Sequence, residues 1–413
     1  MSMDIGTVRG PHAGMGFRAF VGVIAALMAT NALAVDAMLP ALGRIGASLG
    51  LAAANERQWV VTSYLLGFGA AHIVYGTLAD RYGRKPMVYV ALGIYIVASL
   101  GAACAHSFEA MMLARVVEGL GAAGTRVLAV SIVRDCYAGR RMARVMSLSL
   151  LVFLGVPVLA PSLGQVIMFF APWPWIFVFL AAFAAVVCGV IAWRLPETLH
   201  AADRRPIAIL GILQAARAIL SDRVSVGYTL AMSLVVGGMF GFINAAQQVF
   251  TDVFHQPRLF TLIFAIIAGG IAVASVVNAR LVDRLGSRKI SHTALLAFLV
   301  VAAVHLAVAA SGHETVWRFA ALQVCMMFCF GLMMGNFGAM AMEPLGHIAG
   351  SAASIQGFFS TLLAALIGFA IGQQFNGTVV PLTAGFLGCG LAALAVVLWA
   401  EGGKLFLARD VAG

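Results

Sequence analysis

The chain has 413 residues, of which 62% are hydrophobic and only 10% charged; a water-soluble domain carries roughly 25% charged residues, and no soluble core could bury the apolar remainder. The formal net charge of +10 would suit a nucleic-acid partner, but the basic residues sit in short connections between apolar runs rather than along one stripe. A lipid bilayer is therefore the expected partner, and nucleic acid is not.

Windows of about 20 residues, the length that crosses ~30 Å of hydrocarbon, pick out apolar runs near 17–40, 58–79, 86–105, 108–132, 143–167, 173–195, 224–249, 258–280, 290–310, 317–342, 350–372 and 379–400. These predict an all-α integral membrane protein with twelve transmembrane helices. The first run is too long for the apolar core of a signal peptide and no small-residue cleavage site precedes it, so it is read as a retained helix. Asp36 stands inside it.

Between the second and third runs lies Gly76-Thr-Leu-Ala-Asp80-Arg81-Tyr-Gly83-Arg84-Lys85. The fourth run carries three ionisable residues, Arg115, Glu118 and Arg126, and is followed by Arg134 and Asp135. The longest polar stretch, 196–223, divides the chain into an N-terminal six-helix bundle (1–195), a cytoplasmic linker (196–223) and a C-terminal six-helix bundle (224–413). Past the linker, Ala279-Arg-Leu281-Val-Asp283-Arg284-Leu-Gly286-Ser-Arg288-Lys289 repeats the earlier loop at the same place in its half. Repeated halves are a transporter signature, because two pseudo-symmetric bundles can rock about a central site. The pairs Gly237/Gly241, Gly331/Gly335 and Gly368/Gly372 have the small-xxx-small spacing of close helix packing in lipid.

Topology follows from the basic residues. One side of the predicted arrangement holds only Arg44, Arg57, Arg258 and Arg318; the other holds twenty, among them Arg9, Arg81, Arg84, Lys85, Arg134, Arg140, Arg141, Arg144, Arg204, Arg205, Arg288 and Arg409. The positive-inside rule then places both termini in the cytoplasm. The six cysteines form no CxxC pair and are read as small packing residues.

A charge at mid-bilayer costs at least ~2.5–3.5 kcal/mol on insertion scales, so each one is a functional candidate. At 1.5 Å per residue, Asp36 and Arg115 both lie about 12 Å in from the outer boundary. They could meet, and a carboxyl balanced between burial and a guanidinium can exchange protons; the alternative is a permanent salt bridge that fixes packing. Glu118, at i+3 from Arg115, is either a second protonatable site or the neutralising partner of Arg115. Arg126 can snorkel or line a vestibule, with a structural role preferred. In the loop motif Asp80, Arg81, Arg84 and Lys85 can pair with carboxylates and helix ends, holding the cytoplasmic side shut in one state, or they can simply anchor topology. Gly46-Ala-Ser48-Leu-Gly50 and Gly119-Leu-Gly121-Ala-Ala-Gly124 match the hydrolase and dinucleotide-binding patterns by letter only, since neither follows a strand. No HExxH, Walker loop or metal-ligand cluster is present. No enzyme activity, cofactor or metal is expected, and a membrane-embedded enzyme is the rival reading with no constellation to support it.

The chain resembles the major facilitator superfamily, in particular its twelve-span drug:proton antiporters of the bicyclomycin and chloramphenicol resistance branch. The resemblance rests on Gly76, Asp80, Arg81, Gly83, Arg84 and Lys85 as motif A; on Arg115-Val-Val-Glu118-Gly119-Leu-Gly121 and the pair Arg134-Asp135; and on Gly155, Pro157, Pro161 and Gly164 as the antiporter motif of helix 5. Asp36-Ala-Met-Leu-Pro40 resembles the helix 1 motif, and Pro344 to Ser354 the connection into helix 11. The helix 4 motif usually has glutamine where this chain has Glu118.

This resemblance implies two pseudo-symmetric bundles and a proton-driven multidrug exporter of the bacterial inner membrane. It implies proton coupling through Asp36 and Arg115, to which the residues themselves add Glu118 as a candidate, no cofactor beyond the proton gradient, and small amphipathic substrates and protons as partners of a monomeric carrier. The cavity is expected among the inner faces of helices 1, 4, 5, 7, 10 and 11, with Asn31, Asn244, Gln247, Gln323 and Asn336 as polar lining and Met38, Met239 and Phe240 as apolar contacts. The alternative is a proton-coupled transporter of a single metabolite such as an amino acid, sugar or siderophore.

Overall fold

A computed structural model of the chain describes residues 15–204 and 209–406, without the side chains of 140, 143, 151, 209–212, 347 and 349–351. Arg9, Arg140, Arg205 and Arg409 of the topology count thus lie wholly or in their side chains outside the described residues. With no water in hydrocarbon to satisfy backbone groups, apolar runs of this length must close their hydrogen bonds within the helix. Among the described residues twelve helices are long and apolar enough to span: α1 (Phe17–Asp36), α2 (Trp59–Tyr82), α3 (Arg84–Ala103), α4 (Phe108–Cys136), α5 (Gly139–Phe170), α6 (Pro174–Arg194), α7 (Arg223–Gln248), α8 (Phe260–Leu285), α9 (Ser287–Ala310), α10 (Val316–Met342), α11 (Ala349–Gln373) and α12 (Val380–Ala400). Large apolar side chains such as Leu113, Phe169, Phe170 and Trp193 face outward, where acyl chains would lie.

The ends are set by local chemistry. Ser107 caps α4 through the Ala110 amide (3.2 Å), Thr315 caps α10 through Arg318 (3.3 Å), and Asp222 caps α7 through Ser225 (2.7 Å). The α2–α3 and α8–α9 turns pivot on Gly83 (φ +101°) and Gly286 (φ +78°). These two turns, Asp135 and the linker mark one end of the bundle, the basic face; the opposite end is the far face. Two details depart from the sequence reading. The polar stretch 196–223 contains a further helix, Ile209–Ser221, because a short amphipathic segment falls below a span-length window. Asp36 is the last residue of α1: the helix breaks there, continues as a 3-10 turn over Leu39–Ala41 and then as a short helix, Leu42–Ser48. Pro40, which has no N–H to give and disfavours α geometry in the residue before it, accounts for the break.

α1 to α6 pack among themselves, as do α7 to α12, and the two halves meet along α2 with α11 and along α5 with α8. Inside the first half one close approach is reciprocal. A Cβ at Gly67 of α2 would collide with the Val116 carbonyl of α4, and one at Gly119 of α4 with the Tyr64 carbonyl of α2. The glycines of the rejected dinucleotide pattern are therefore contact points between helices, the geometry that small residues permit in membranes.

Candidate functional site: a central cavity and its charged residues

A cavity of about 1790 Å³ lies between the halves. Its mouth is at the basic face, among the exposed residues His200, Asp203 and Arg204 of the linker. All six helices expected to line it do so, and α2 and α8 join them through Phe68, His72, Phe264 and Ile271. At the far end it stops beneath a seal of uncharged amides. Gln58 Nε2 donates to Gln248 Oε1 (2.5 Å) and to the Gly372 carbonyl (3.0 Å), and Gln248 Nε2 donates to Asn55 Oδ1 (2.8 Å). Asn55 Nδ2 donates to the Phe375 carbonyl (2.9 Å), and Gln373 Nε2 returns a bond to the Asn55 carbonyl (3.0 Å). An Arg57–Asp252 ion pair bridges the halves nearby.

Asp36 lines the cavity, is 5% exposed, and makes no ion pair or side-chain hydrogen bond among the described residues. It does not pair with Arg115. The guanidinium of Arg115 goes instead to three oxygens: Nη1 to Glu118 Oε2 (2.6 Å), Nε to the Val60 carbonyl (3.0 Å) and Nη2 to the Ala34 carbonyl (3.0 Å). Ala34 belongs to the last turn of α1, whose final carbonyls have lost their helical donors, so Arg115 caps that helix end, where a cation is favoured. Its plane lies against Tyr64 (4.5 Å) and Phe177 (5.6 Å), and Glu118 accepts from the Ser99 hydroxyl (2.9 Å). One buried guanidinium thereby ties α1, α2, α4 and α6 together, with α3 reached through Glu118. Arg115 and Glu118 are both fully buried and do not line the cavity. In this geometry Glu118 is the partner of Arg115 and does not reach the cavity.

α5 is pressed onto the same break. A Cβ at Gly164 would overlap the Ala37 carbonyl, next to Asp36. Pro161 is buried and Pro157 faces the cavity, while a Cβ added at Gly155 would meet nothing within 4 Å.

Of the eight expected lining residues, Asn31, Met239 and Phe240 line the cavity and five do not. Met38 is fully buried. Asn244 accepts from Thr62 (3.5 Å) beside the seal. Gln247 faces a separate recess of about 440 Å³ at the far face, with Arg44 and Gln165. Asn336 donates to Asn278 (2.7 Å), the residue that does reach the cavity. Gln323 is buried with neither end of its amide partnered among the described residues. It occupies in α10 the place that Arg115 occupies in α4, since Val316 to Gln323 is the same step as Phe108 to Arg115. Helical phase cannot separate a lining amide from one that bonds between helices, and here Asn244 and Asn336 do the latter. Sequence reasoning missed Gln356 and Phe330, for which periodicity carries no signal; it noticed Arg126 but preferred a structural role, whereas Arg126 lines the cavity.

At the basic face Arg84 is 3% exposed and bonds Asp80 (2.6 Å) and Asp135 (2.7 Å). The unanticipated member is Glu197. It accepts from the Arg84 and Lys85 backbone amides (2.8 and 3.1 Å) at the start of α3, a natural anion site. Lys85 reaches the Ala192 carbonyl (3.1 Å), and Arg81 lies over Tyr82. Gly76 approaches Ser354 across the halves, Arg134 is exposed at the mouth, and the Pro344–Ser354 connection leads into α11. The second half repeats the clamp with Arg288, bonded to Glu343 (2.9 Å) and Glu401 (2.8 Å). The ion pairs of Arg84 with Asp80 and Asp135 and of Arg288 with Glu343 and Glu401 each lie within one half and are made while the mouth is open. In this conformation, with the mouth open, they fasten the helix ends of each bundle.

The family profile described as Major Facilitator Superfamily matches residues 19–369. Relatives include an uncharacterized MFS-type transporter, YdgK, of Bacillus subtilis, 27% identical over 88% of this chain and 90% of that one. A bicyclomycin resistance protein homolog of Haemophilus influenzae is 25% identical over 84% and 87%. The multidrug resistance protein MdtL of Klebsiella pneumoniae is 28% identical over 88% and 91%. Among solved structures, a D-xylose-proton symporter superposes with a TM-score of 0.72 at 13% identity, covering 95% of this chain and 98% of its own. A human organic anion transporter superposes with a TM-score of 0.69 at 17% identity over 94% and 100%. At such identities the two structures speak for the fold alone.

Proposed function

We propose that this chain, which belongs to the major facilitator superfamily, is a proton-coupled exporter of small amphipathic compounds working by alternating access. That it is a multi-pass membrane transporter of small molecules follows from family and fold; direction, coupling and substrate range are the proposal. The observation that carries it is Asp36, a buried carboxyl with no partner among the described residues, facing a cavity that opens at one face and ends beneath a seal at the other. The drug-resistance relatives support export, and the positive-inside count supports a cytoplasmic basic face.

On this reading the structure is open to the cytoplasm. An amphipathic solute enters between the halves and settles against Phe153, Phe240 and Phe330. When the halves rock, the amide seal parts, the mouth closes, and Asp36 becomes accessible from outside; protonation there favours release and the return stroke. Arg115 relays the event mechanically, because it holds the carbonyl of Ala34 two residues before Asp36. One proton crossing ~100 mV yields about 2.3 kcal/mol and a one-unit pH difference adds roughly 1.4, enough to sustain a solute gradient of a few hundred-fold at one proton per solute.

The test is proton release from purified protein in liposomes containing a pH-sensitive dye when several unrelated amphipathic compounds are added, with wild type beside Asp36→Asn. Release with several compounds that disappears in the variant is expected. Response to one compound alone would make it a dedicated metabolite carrier, and an undiminished response in Asp36→Asn would move the proton site elsewhere.

A further inference from the structure

Arg126 is a cation at the cavity wall with no counter-charge. It makes no hydrogen bond or ion pair among the described residues, and its guanidinium lies 5.8 Å from the centre of the Phe153 ring. Its level is fixed by its neighbour, since the Thr125 hydroxyl sits 2.9 Å from that of Thr30 on α1. Asn31, the next residue on α1, also lines the cavity, is 9% exposed, and its Nδ2 finds no acceptor. Two sets of donors without acceptors thus stand together. Six residues of α1 separate Thr30 from Asp36, which places these donors about 9 Å nearer the mouth than the carboxyl.

Apart from Asp36 and the acids toward the mouth, Asp80, Asp135 and Asp203, the cavity lining carries no carboxylate among the described residues. α2 presents His72, whose Nδ1 is 2.9 Å from the Phe68 carbonyl. α7, α8 and α10 present Met239, Phe264 and Phe330, and α11 the neutral Gln356. The pseudo-symmetric position of Arg126 in α10 is Met334, because Phe108 to Arg126 is the same step as Val316 to Met334. The charge is therefore no requirement of the repeated scaffold.

We infer that Arg126 and Asn31 form a head-group subsite that takes a carboxylate or similar oxyanion on an amphipathic solute. A guanidinium matches such a group in a bidentate, charge-assisted pair, while the apolar body lies on the aromatic wall. This rests on the reading of the cavity as the solute path and adds the chemistry of the solute's polar end; the proton site at Asp36 stays separate from it.

Three shape-matched probes test the inference: naphthaleneacetate, its amide and naphthylethylamine, with binding measured by equilibrium dialysis to the full chain in nanodiscs. Wild type is expected to bind the carboxylate about tenfold tighter than the amide and the amine weakest. Arg126→Gln should abolish that preference and Arg126→Lys should keep part of it, with thermal unfolding confirming that both variants fold. Equal binding of all three by wild type, binding of none, preference for the amine, or an unchanged preference in Arg126→Gln would overturn the subsite. Proton movement in liposomes separates the two claims. An Arg126-dependent carboxylate preference without proton movement would leave the subsite standing and remove the proton-coupled reading; proton release driven by the amine alone would do the reverse.

Discussion

Replacing Glu118 with glutamine separates a structural ion pair from a second proton site. Glu118 and Arg115 are both fully buried and 2.6 Å apart, and breaking a buried pair from one side typically costs about 3–5 kcal/mol. Glutamine can still accept from Nη1, and that hydrogen bond recovers about 1–2 kcal/mol, so a net loss of roughly 2–3 kcal/mol is expected. Thermal unfolding of purified protein would read this as a clear fall in midpoint. The double variant Arg115→Met/Glu118→Leu should recover most of the loss, because an apolar replacement of a buried pair is often near neutral. It would still leave the Ala34 carbonyl uncapped, at about 1 kcal/mol. Protons released per solute should not change in Glu118→Gln, since the side chain does not reach the cavity. Native stability together with an altered proton-to-solute ratio would refute this reasoning and make Glu118 part of the proton path.

Gln58→Ala removes three interhelical bonds of the far-face seal; at about 0.6 kcal/mol each the equilibrium should move some twentyfold toward the state open at that face. Labelling of a cysteine placed at Thr62 by a membrane-impermeant maleimide would report it, and an unchanged rate would show that the amides do not hold the halves together. Gly83→Ala should cost more than Gly286→Ala. Both incur about 1–2 kcal/mol of left-handed backbone strain, but only at Gly83 would the new Cβ meet the Glu197 carboxylate at 2.6 Å; equal falls in unfolding midpoint would deny the capping role of Glu197. Gly164→Ala must push α5 off the break in α1, an overpacking cost of about 1–3 kcal/mol, and should lower both stability and drug-dependent proton release. Full activity at native stability would mean that this contact is not part of the coupling.

The twelve spans were legible because hydrocarbon leaves the backbone one solution, and a window of span length sees little else. That same window passed over the helix at Ile209–Ser221. The charged candidates were legible one by one, since a membrane makes every buried charge conspicuous, and the i+3 spacing offered Glu118 as a partner of Arg115, yet contacts between helices were not legible. Counting residues put Asp36 and Arg115 at one depth, but rotation about each helix axis and the break at Pro40 decide that Arg115 meets a carbonyl of α1 in place of the carboxylate. Amides were the least legible class, as Gln247, Gln323 and Asn336 illustrate. Glu197 was hidden in a polar stretch, where an acidic residue is ordinary until the chain folds back onto the start of α3.

The uneven distribution of charge between the two halves bears on how such a protein can diversify. In the first half a single guanidinium holds four helices, and a change near it is felt by all of them at once. In the second half the cavity wall includes Met239, Phe240, Met327, Phe330 and Met334, flexible thioethers and rings that can be exchanged for one another at small cost. Variants selected to handle a new compound should therefore accumulate in α7 and α10, leaving α1 and α4 to stay as they are while the other half explores.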